Sequence, residues 1–276
     1  MRKLGVALAC LTGLALLSTF SPPGGGTPSQ AAPSQFVAHL PLVLGGLHQP
    51  PPTPTYEQQV VELINEKRAS QGLPPLKICP ELMAAAAVHS QDMATHNFVD
   101  HTGSDGSSPW DRFRREGYEL TWGGETIAAG PVTPQEVVAG WMESDGHREI
   151  LLISQFREIG VGYASSAFGH FWTMDLGARE DVYPVVIEGE ALIVTSPRVA
   201  LYIYGDGWAD EMMVSNDAAF VGAAWEAYAP AKVWRLDASS GWKTVHIQLK
   251  HKDGAILSAA DGIYLDLSHS PGPPYP

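Results

Sequence analysis

Cysteine is almost missing from this chain: two residues in 276, Cys10 and Cys79. Cys10 lies in an N-terminal apolar stretch, so a chain that sheds that stretch keeps one thiol and can form no internal disulfide. Its stability must then come from apolar cores. Cys79 sits in Lys77-Ile78-Cys79-Pro80 ahead of a predicted helix and reads as a small buried hydrophobe rather than a catalytic thiol. Positive charge is also scarce, with 17 Lys and Arg against 30 Asp and Glu and a net charge of −13. No Lys/Arg-rich run follows Arg2 and Lys3. Phosphate backbones and anionic lipid surfaces recruit clustered cations, so nucleic acid and electrostatic membrane docking are excluded. No Gly-rich phosphate loop follows a strand pattern, and Ser107, Ser108 and Ser144 lack a nucleophile elbow, so no nucleotide cofactor is expected.

Long apolar runs are limited to Leu4–Phe20, which is diluted by Gly5, Thr12 and Gly13 and falls short of the roughly 20 residues of a membrane span. With Arg2 and Lys3 before it and Ser29, Ala31 and Ala32 after it, the segment reads as a cleavable export signal over residues 1–31. An uncleaved anchor is the alternative. A lipoprotein reading through Cys10 fails, because that cysteine lies inside the apolar region. The expected mature chain has no transmembrane span and is secreted or held at the cell surface.

The remainder falls into blocks. Residues 32–55 are rich in Pro, Gly, Ser and Thr and end in Gln49-Pro50-Pro51-Pro52-Thr53-Pro54-Thr55, an extended linker. Its apolar island Phe36–Leu47 is too short to span a membrane and reads as local packing, with surface attachment as the alternative. Val60, Leu63, Ile64 and Lys67 then recur at helical spacing until Gly72. Pro80 opens a second helix to about His96, with Leu82, Ala86, His89 and Met93 on one face. A short helix follows from Pro109 to Glu116. Thr133-Pro134-Gln135-Glu136 is a capping box with proline at the first helical position. Ile159, Val161 and Tyr163 alternate with small residues, and Phe168–Met174 reads as the returning strand of a hairpin. These elements predict an α+β domain over residues 56–180. Beyond it, Val199, Leu201 and Ile203 and then Val245, Ile247 and Leu249 alternate with turn signals between them. That texture predicts an all-β sandwich over 185–268, with a flexible tail at 269–276.

Three motifs of the first domain carry a resemblance. They are Asn97-Phe98-Val99-Asp100-His101-Thr102, Gly124-Glu125-Thr126-Ile127-Ala128-Ala129-Gly130 and Gly140-Trp141-Met142-Glu143-Ser144-Asp145-Gly146-His147-Arg148. In order and spacing, and with Ile159-Gly160-Val161-Gly162-Tyr163 after them, they resemble the bacterial branch of the CAP/SCP family. The resemblance implies a three-layer α-β-α sandwich with a small antiparallel sheet. It matches His101 and His147 to the family's two cavity histidines and Glu125 to its Gly-Glu-Asn glutamate. Thr126 replaces the usual asparagine. The family's second glutamate position is Ser144 here, with Glu143 one residue earlier, a rotation of about 100° on a helix. The second block resembles Ig-like or fibronectin-like modules of bacterial exported proteins, on the Ser215-Asn216-Asp217 turn, Trp225-Glu226-Ala227-Tyr228 and the strand Lys243–Lys250.

Two imidazoles and a carboxylate are metal-ligand chemistry, so His101 and His147 are candidate ligands for zinc or another divalent ion. Glu125 is the candidate base, and Glu143 and Ser144 complete the expected binding cavity. The same groups are also what a hydrogen-bonded cluster pinning loops together requires. Three readings follow: an extracellular binding module for a lipid, sterol, glycan or peptide; a metal-assisted, peptidase-like hydrolase; and a structural or adhesive surface protein. His89 reads as a core histidine, His96 as a helix-end cation and Asp105-Gly106 as a turn. Trp141 is assigned to the core. Tyr202, Tyr204, Trp208, Trp225 and Trp242 read mainly as sandwich core, with an aromatic sugar-binding strip as the alternative.

Overall fold

A computed structural model describes residues 18–19 and 50–268. The rest of the expected signal, most of the linker and the 269–276 tail lie outside the described residues. Strand β1 (Ser18–Thr19) pairs antiparallel with β3 (Trp122–Ala129). Helix α1 (Tyr56–Ser70) begins where the Thr55 hydroxyl accepts from the Gln58 amide. Strand β2 (Lys77–Ile78) follows, then α2 (Pro80–His96), which Asn97 ends in the left-handed conformation at φ 53°. Helix α3 (Pro109–Arg115) and helix α4 (Pro134–Glu143) both open with a capping box and a proline. Helix α5 (Asp145–Leu151), strand β4 (Glu158–Ser166) and strand β5 (Gly169–Ala178) complete the domain.

The five strands lie in the order β1-β3-β5-β4-β2, antiparallel except for the parallel β2–β4 pair. Side chains alternate across this sheet. Val161, Met174, Leu176 and Ile159 meet Val60, Ile64, Val137 and Trp141 in one buried core on the α1, α4 and α5 side. On the other side α2 lies against β4 at short range. A Cβ on Gly160 would fall 2.1 Å from the Leu82 carbonyl carbon, and one on Gly162 2.3 Å from that of Ala86. Helices on both faces of one sheet give the expected three layers. Gly160→Ala is expected to push α2 outward and cost about 1–3 kcal/mol, read as a lower urea midpoint. An unchanged midpoint would show that the helix is not seated on this glycine.

The sequence left β2, β3 and the break between α4 and α5 unread. Ser144 is extended, at φ −88° and ψ 119°, so the Gly140–Arg148 motif spans two helices. The single-helix rotation expected between Glu143 and Ser144 therefore does not apply.

Residues 185–265 form two further sheets. One has the order β11-β8-β6, from β6 (Val185–Ile187), β8 (Arg198–Ile203) and β11 (Ala231–Arg235). The other has the order β10-β9-β12-β13-β7, from β7 (Ile193–Val194), β9 (Glu211–Ser215), β10 (Glu226–Ala227), β12 (Gly241–Lys250) and β13 (Ile256–Leu265). Val185, Leu201 and Ile203 of the first sheet share a core with Val214, Ile247 and Ile263 of the second. A short 3-10 turn at Glu188–Glu190 carries the chain back to the first domain. There the Asn65 amide donates to the Gly189 carbonyl at 2.9 Å, and the Gln58 amide to that of Glu190 at 2.6 Å.

Candidate functional site

Pairing of β3 with β5 sets Glu125 directly opposite Asp175, and pairing of β5 with β4 sets Asp175 opposite Gly160. All three therefore share the face covered by α2. Helix α3 supplies Arg112 to the same place, held by the reciprocal bonds of Ser108 and Asp111 at the helix start. The Arg112 guanidinium donates to Glu125 Oε2 at 2.6 Å, to the His101 carbonyl at 3.1 Å and to the Ser107 carbonyl at 3.0 Å. His101 Nδ1 lies 2.6 Å from Glu125 Oε1. Both oxygens of Glu125 are thus engaged. Burial pushes this carboxyl upward, but the His101 hydrogen bond and the Arg112 charge outweigh burial and hold it below the ordinary glutamate range.

A carboxylate on Nδ1 fixes the proton there and leaves Nε2 as the second nitrogen of His101. The His101 side chain is 19% exposed against 2% for Glu125, so the imidazole is what reaches the surface. His147, half-buried on α5, has an Nδ1 that meets no hydrogen-bond partner among the described residues. Burial, then the nearby His101, holds its pKa below the usual histidine value. The structure therefore gathers His101, Glu125 and His147. Glu143 ends α4 exposed, with no hydrogen bond or ion pair to the cluster among the described residues, and Ser144 lies in the extended break before α5. Among the described residues no group of three or more His, Cys, Asp or Glu is arranged to hold a metal ion.

Two members of the cluster escaped the sequence. Arg112 hides among the arginines of Trp110-Asp111-Arg112-Phe113-Arg114-Arg115. Asp175 had a visible signal, an acid inside the apolar run Phe171–Leu176. His89 is the core residue expected, with Nε2 2.8 Å from the Asp100 carbonyl, but it also lies within the field of Glu125 and Arg112. His96 instead pairs with Asp92 at the exposed end of α2.

Residues 61–176 match the profile of the Cysteine-rich secretory protein family, CAP. This segment is a CAP domain. The protein YkwD of Bacillus subtilis (strain 168), uncharacterized, is 46% identical over 118 residues, covering 43% of this chain and 45% of YkwD. The uncharacterized membrane protein YlbC of the same organism is 34% identical over 108 residues, covering 39% and 31%. The chain thus spans less than half the length of these relatives. Among solved structures, an SCP-domain extracellular protein of Bacillus anthracis is 31% identical at a TM-score of 0.42, covering 45% of this chain and 40% of its own.

Two other features of the CAP domain and its border are chemically informative. Cys79 is buried, with its thiol 2.9 Å from a Glu81 carboxylate oxygen. Burial, with Glu158 and Glu81, pushes its pKa far up. Native protein is therefore expected to resist iodoacetamide at neutral pH and to react only after unfolding; rapid labelling of the folded chain would refute the assignment. At the border with the second module lies a cleft of about 520 Å³, lined in part by Trp122, Arg157, Tyr183, Tyr202, Tyr204 and Asp206. The Arg157 guanidinium and the Trp208 ring both lie against Tyr183, and Tyr202 meets Tyr204 edge-on. Trp225 lies under Lys250 and Trp242 against Tyr264, so the five aromatics form no single strip.

Proposed function

We propose that this chain is an exported protein whose CAP domain is an extracellular binding module, with the ligand meeting the His101–His147 face. The observation that carries the reading is the engagement of both Glu125 oxygens by His101 and Arg112. A general base must reach the proton it removes. Glu125 is instead an anchor that orients one imidazole toward the surface, which favours binding over the hydrolase reading. Export is supported by the apolar segment behind Arg2 and Lys3. The 185–268 module is proposed as an Ig-like sandwich that carries the CAP domain; its two sheets closed over one core support this.

The donor set does not fit a zinc centre. Zinc sites take three or four protein ligands, and with Glu125 engaged two imidazoles remain. Calorimetric titration of the whole chain with zinc is expected to give binding weaker than micromolar. Tight binding lost in His101→Ala/His147→Ala would reverse this assignment.

The binding reading is tested on histidine-labelled protein by NMR, with palmitate, a sterol, chitotetraose and a short peptide added in turn. One probe is expected to move the His101 and His147 signals and to be recovered intact. Silence from all four sinks the reading. Cleavage of a probe that disappears in Glu125→Gln moves the site to the hydrolase class.

A further inference from the structure

Asp175 is wholly buried, and neither of its carboxyl oxygens meets an N–H or O–H donor among the described residues. An ionised carboxylate in that position would lack both water and hydrogen bonds, the costliest state for a buried polar group. What faces it is another carboxyl. Glu125 is its partner across the β3–β5 ladder, so the two carboxyls stand side by side on one face of the sheet, and Glu125 raises the proton affinity of Asp175. Two facing carboxyls cannot both hold charge cheaply, and their proton affinities split. The split has a clear direction here. Glu125 has the Arg112 guanidinium at 2.6 Å and His101 Nδ1 at 2.6 Å, and so keeps the charge. On the β4 side Asp175 faces Gly160, which has no side chain to offer. From α2, His89 sits within the field of Glu125 and Arg112. Of the charged groups on α3, Arg112 reaches Asp175 only through space.

We propose that Asp175 is a positioning residue of the site: it stands as a neutral carboxylic acid at neutral pH and donates its proton to Glu125. The glutamate then has three donors, His101, Arg112 and Asp175. This holds the carboxylate, and through it the His101 ring, in one orientation. The unit Arg112, Glu125 and Asp175 carries no net charge, so the site shows its ligand two imidazoles on a neutral base. The proposal rests on the reading of Glu125 as a fixed anchor, and its test reads Asp175 without any ligand.

The sign of the linkage is definite. A carboxyl whose folded pKa lies above its unfolded value of about 4 holds its proton longer in the folded state. Its stabilisation is complete below that unfolded value and is lost as pH rises toward the folded one. Asp175→Asn keeps a neutral donor facing Glu125 and removes the titration. The ratio of the wild-type unfolding constant to that of Asp175→Asn is therefore expected to climb about tenfold per pH unit from about pH 4 upward. The His101 NMR signals are expected to be retained in Asp175→Asn and displaced in Asp175→Ala. Wild-type protein labelled at the aspartate carboxyl carbon gives the direct measurement, with one aspartate resonance at the protonated position and unmoving between pH 5 and pH 7. An Asp175 resonance at the ionised position at pH 7 overturns the proposal and points to an internal water. So does an unfolding ratio that stays flat with pH.

Discussion

Arg112→Met is expected to lower the stability of the CAP domain by about 3–5 kcal/mol, the usual consequence of removing one partner of a buried ion pair. Methionine fills the volume but leaves Glu125 charged and buried, and it frees the carbonyls of His101 and Ser107 that the guanidinium holds. The pH dependence is expected to change sign with it. In wild type the Glu125 pKa is depressed, so its contribution is present above the unfolded glutamate value and is lost as pH falls. In Arg112→Met the carboxyl has lost its main cation, and protonation at low pH relieves the burial. The variant is therefore expected to approach wild type on acidification. Urea unfolding at pH 5 and pH 7.5 checks this. The double variant Arg112→Met/Glu125→Gln is expected to recover a large part of the loss, because the charge that needed a partner is gone. Equal losses for the single and double variants would mean that Arg112 acts through loop 101–107 alone. A loss under 1 kcal/mol would remove it from the cluster.

Much of this architecture is legible from local chemistry. The Thr133 capping box, Pro80 and the small-residue alternation of Ile159–Tyr163 each set an element by rules that need only neighbours in sequence. Strand β3 is different. Its Gly123 and Gly124 look like loop, but they are small because a Cβ there would meet Trp110 at 2.6 Å and Phe156 at 2.9 Å. That requirement belongs to residues 13 and 32 positions away, and no local pattern shows it. The candidate site divides in the same way. His101, Glu125 and His147 could be named because their motifs are ordered along the chain. Arg112 and Asp175 could not, because what matters is the cross-strand register and the approach of α3, both tertiary facts. The chemistry changes accordingly. A sequence reading of two histidines and a glutamate offers a metal site. The buried arginine and second carboxyl turn the glutamate into an anchored counter-ion.

Lys77→Met is expected to weaken the junction between the CAP domain and the second module by a similar amount, about 3–5 kcal/mol. Lys77 Nζ lies 2.9 Å and 3.0 Å from the two Glu190 oxygens and 2.5 Å from Asp261 Oδ1, so one ammonium holds two buried carboxyls of the other module. Those carboxyls are also structural acceptors: Glu190 Oε2 takes the Ile78 amide and Asp261 Oδ2 the Ile187 amide. Burial, with Asp261 close by, outweighs the attraction of Lys77 and pushes Glu190 up to about 8. One cation is shared there between two buried acids. Because the folded pKa exceeds the unfolded one, the stabilisation is complete below about pH 4.5 and drains away as pH rises toward 8. Glu190→Gln keeps an acceptor for Lys77 and Ile78 but cannot ionise. Its thermal midpoint is expected to fall less between pH 5 and pH 8 than that of wild type. Proteolysis of the 178–185 connection reports the same event locally, with cutting faster in Lys77→Met than in wild type at pH 8. Parallel pH curves for wild type and Glu190→Gln would place the proton elsewhere. A Lys77→Met chain with an unchanged midpoint would show that the modules are joined by the Asn65, Gln58 and Tyr204 hydrogen bonds instead.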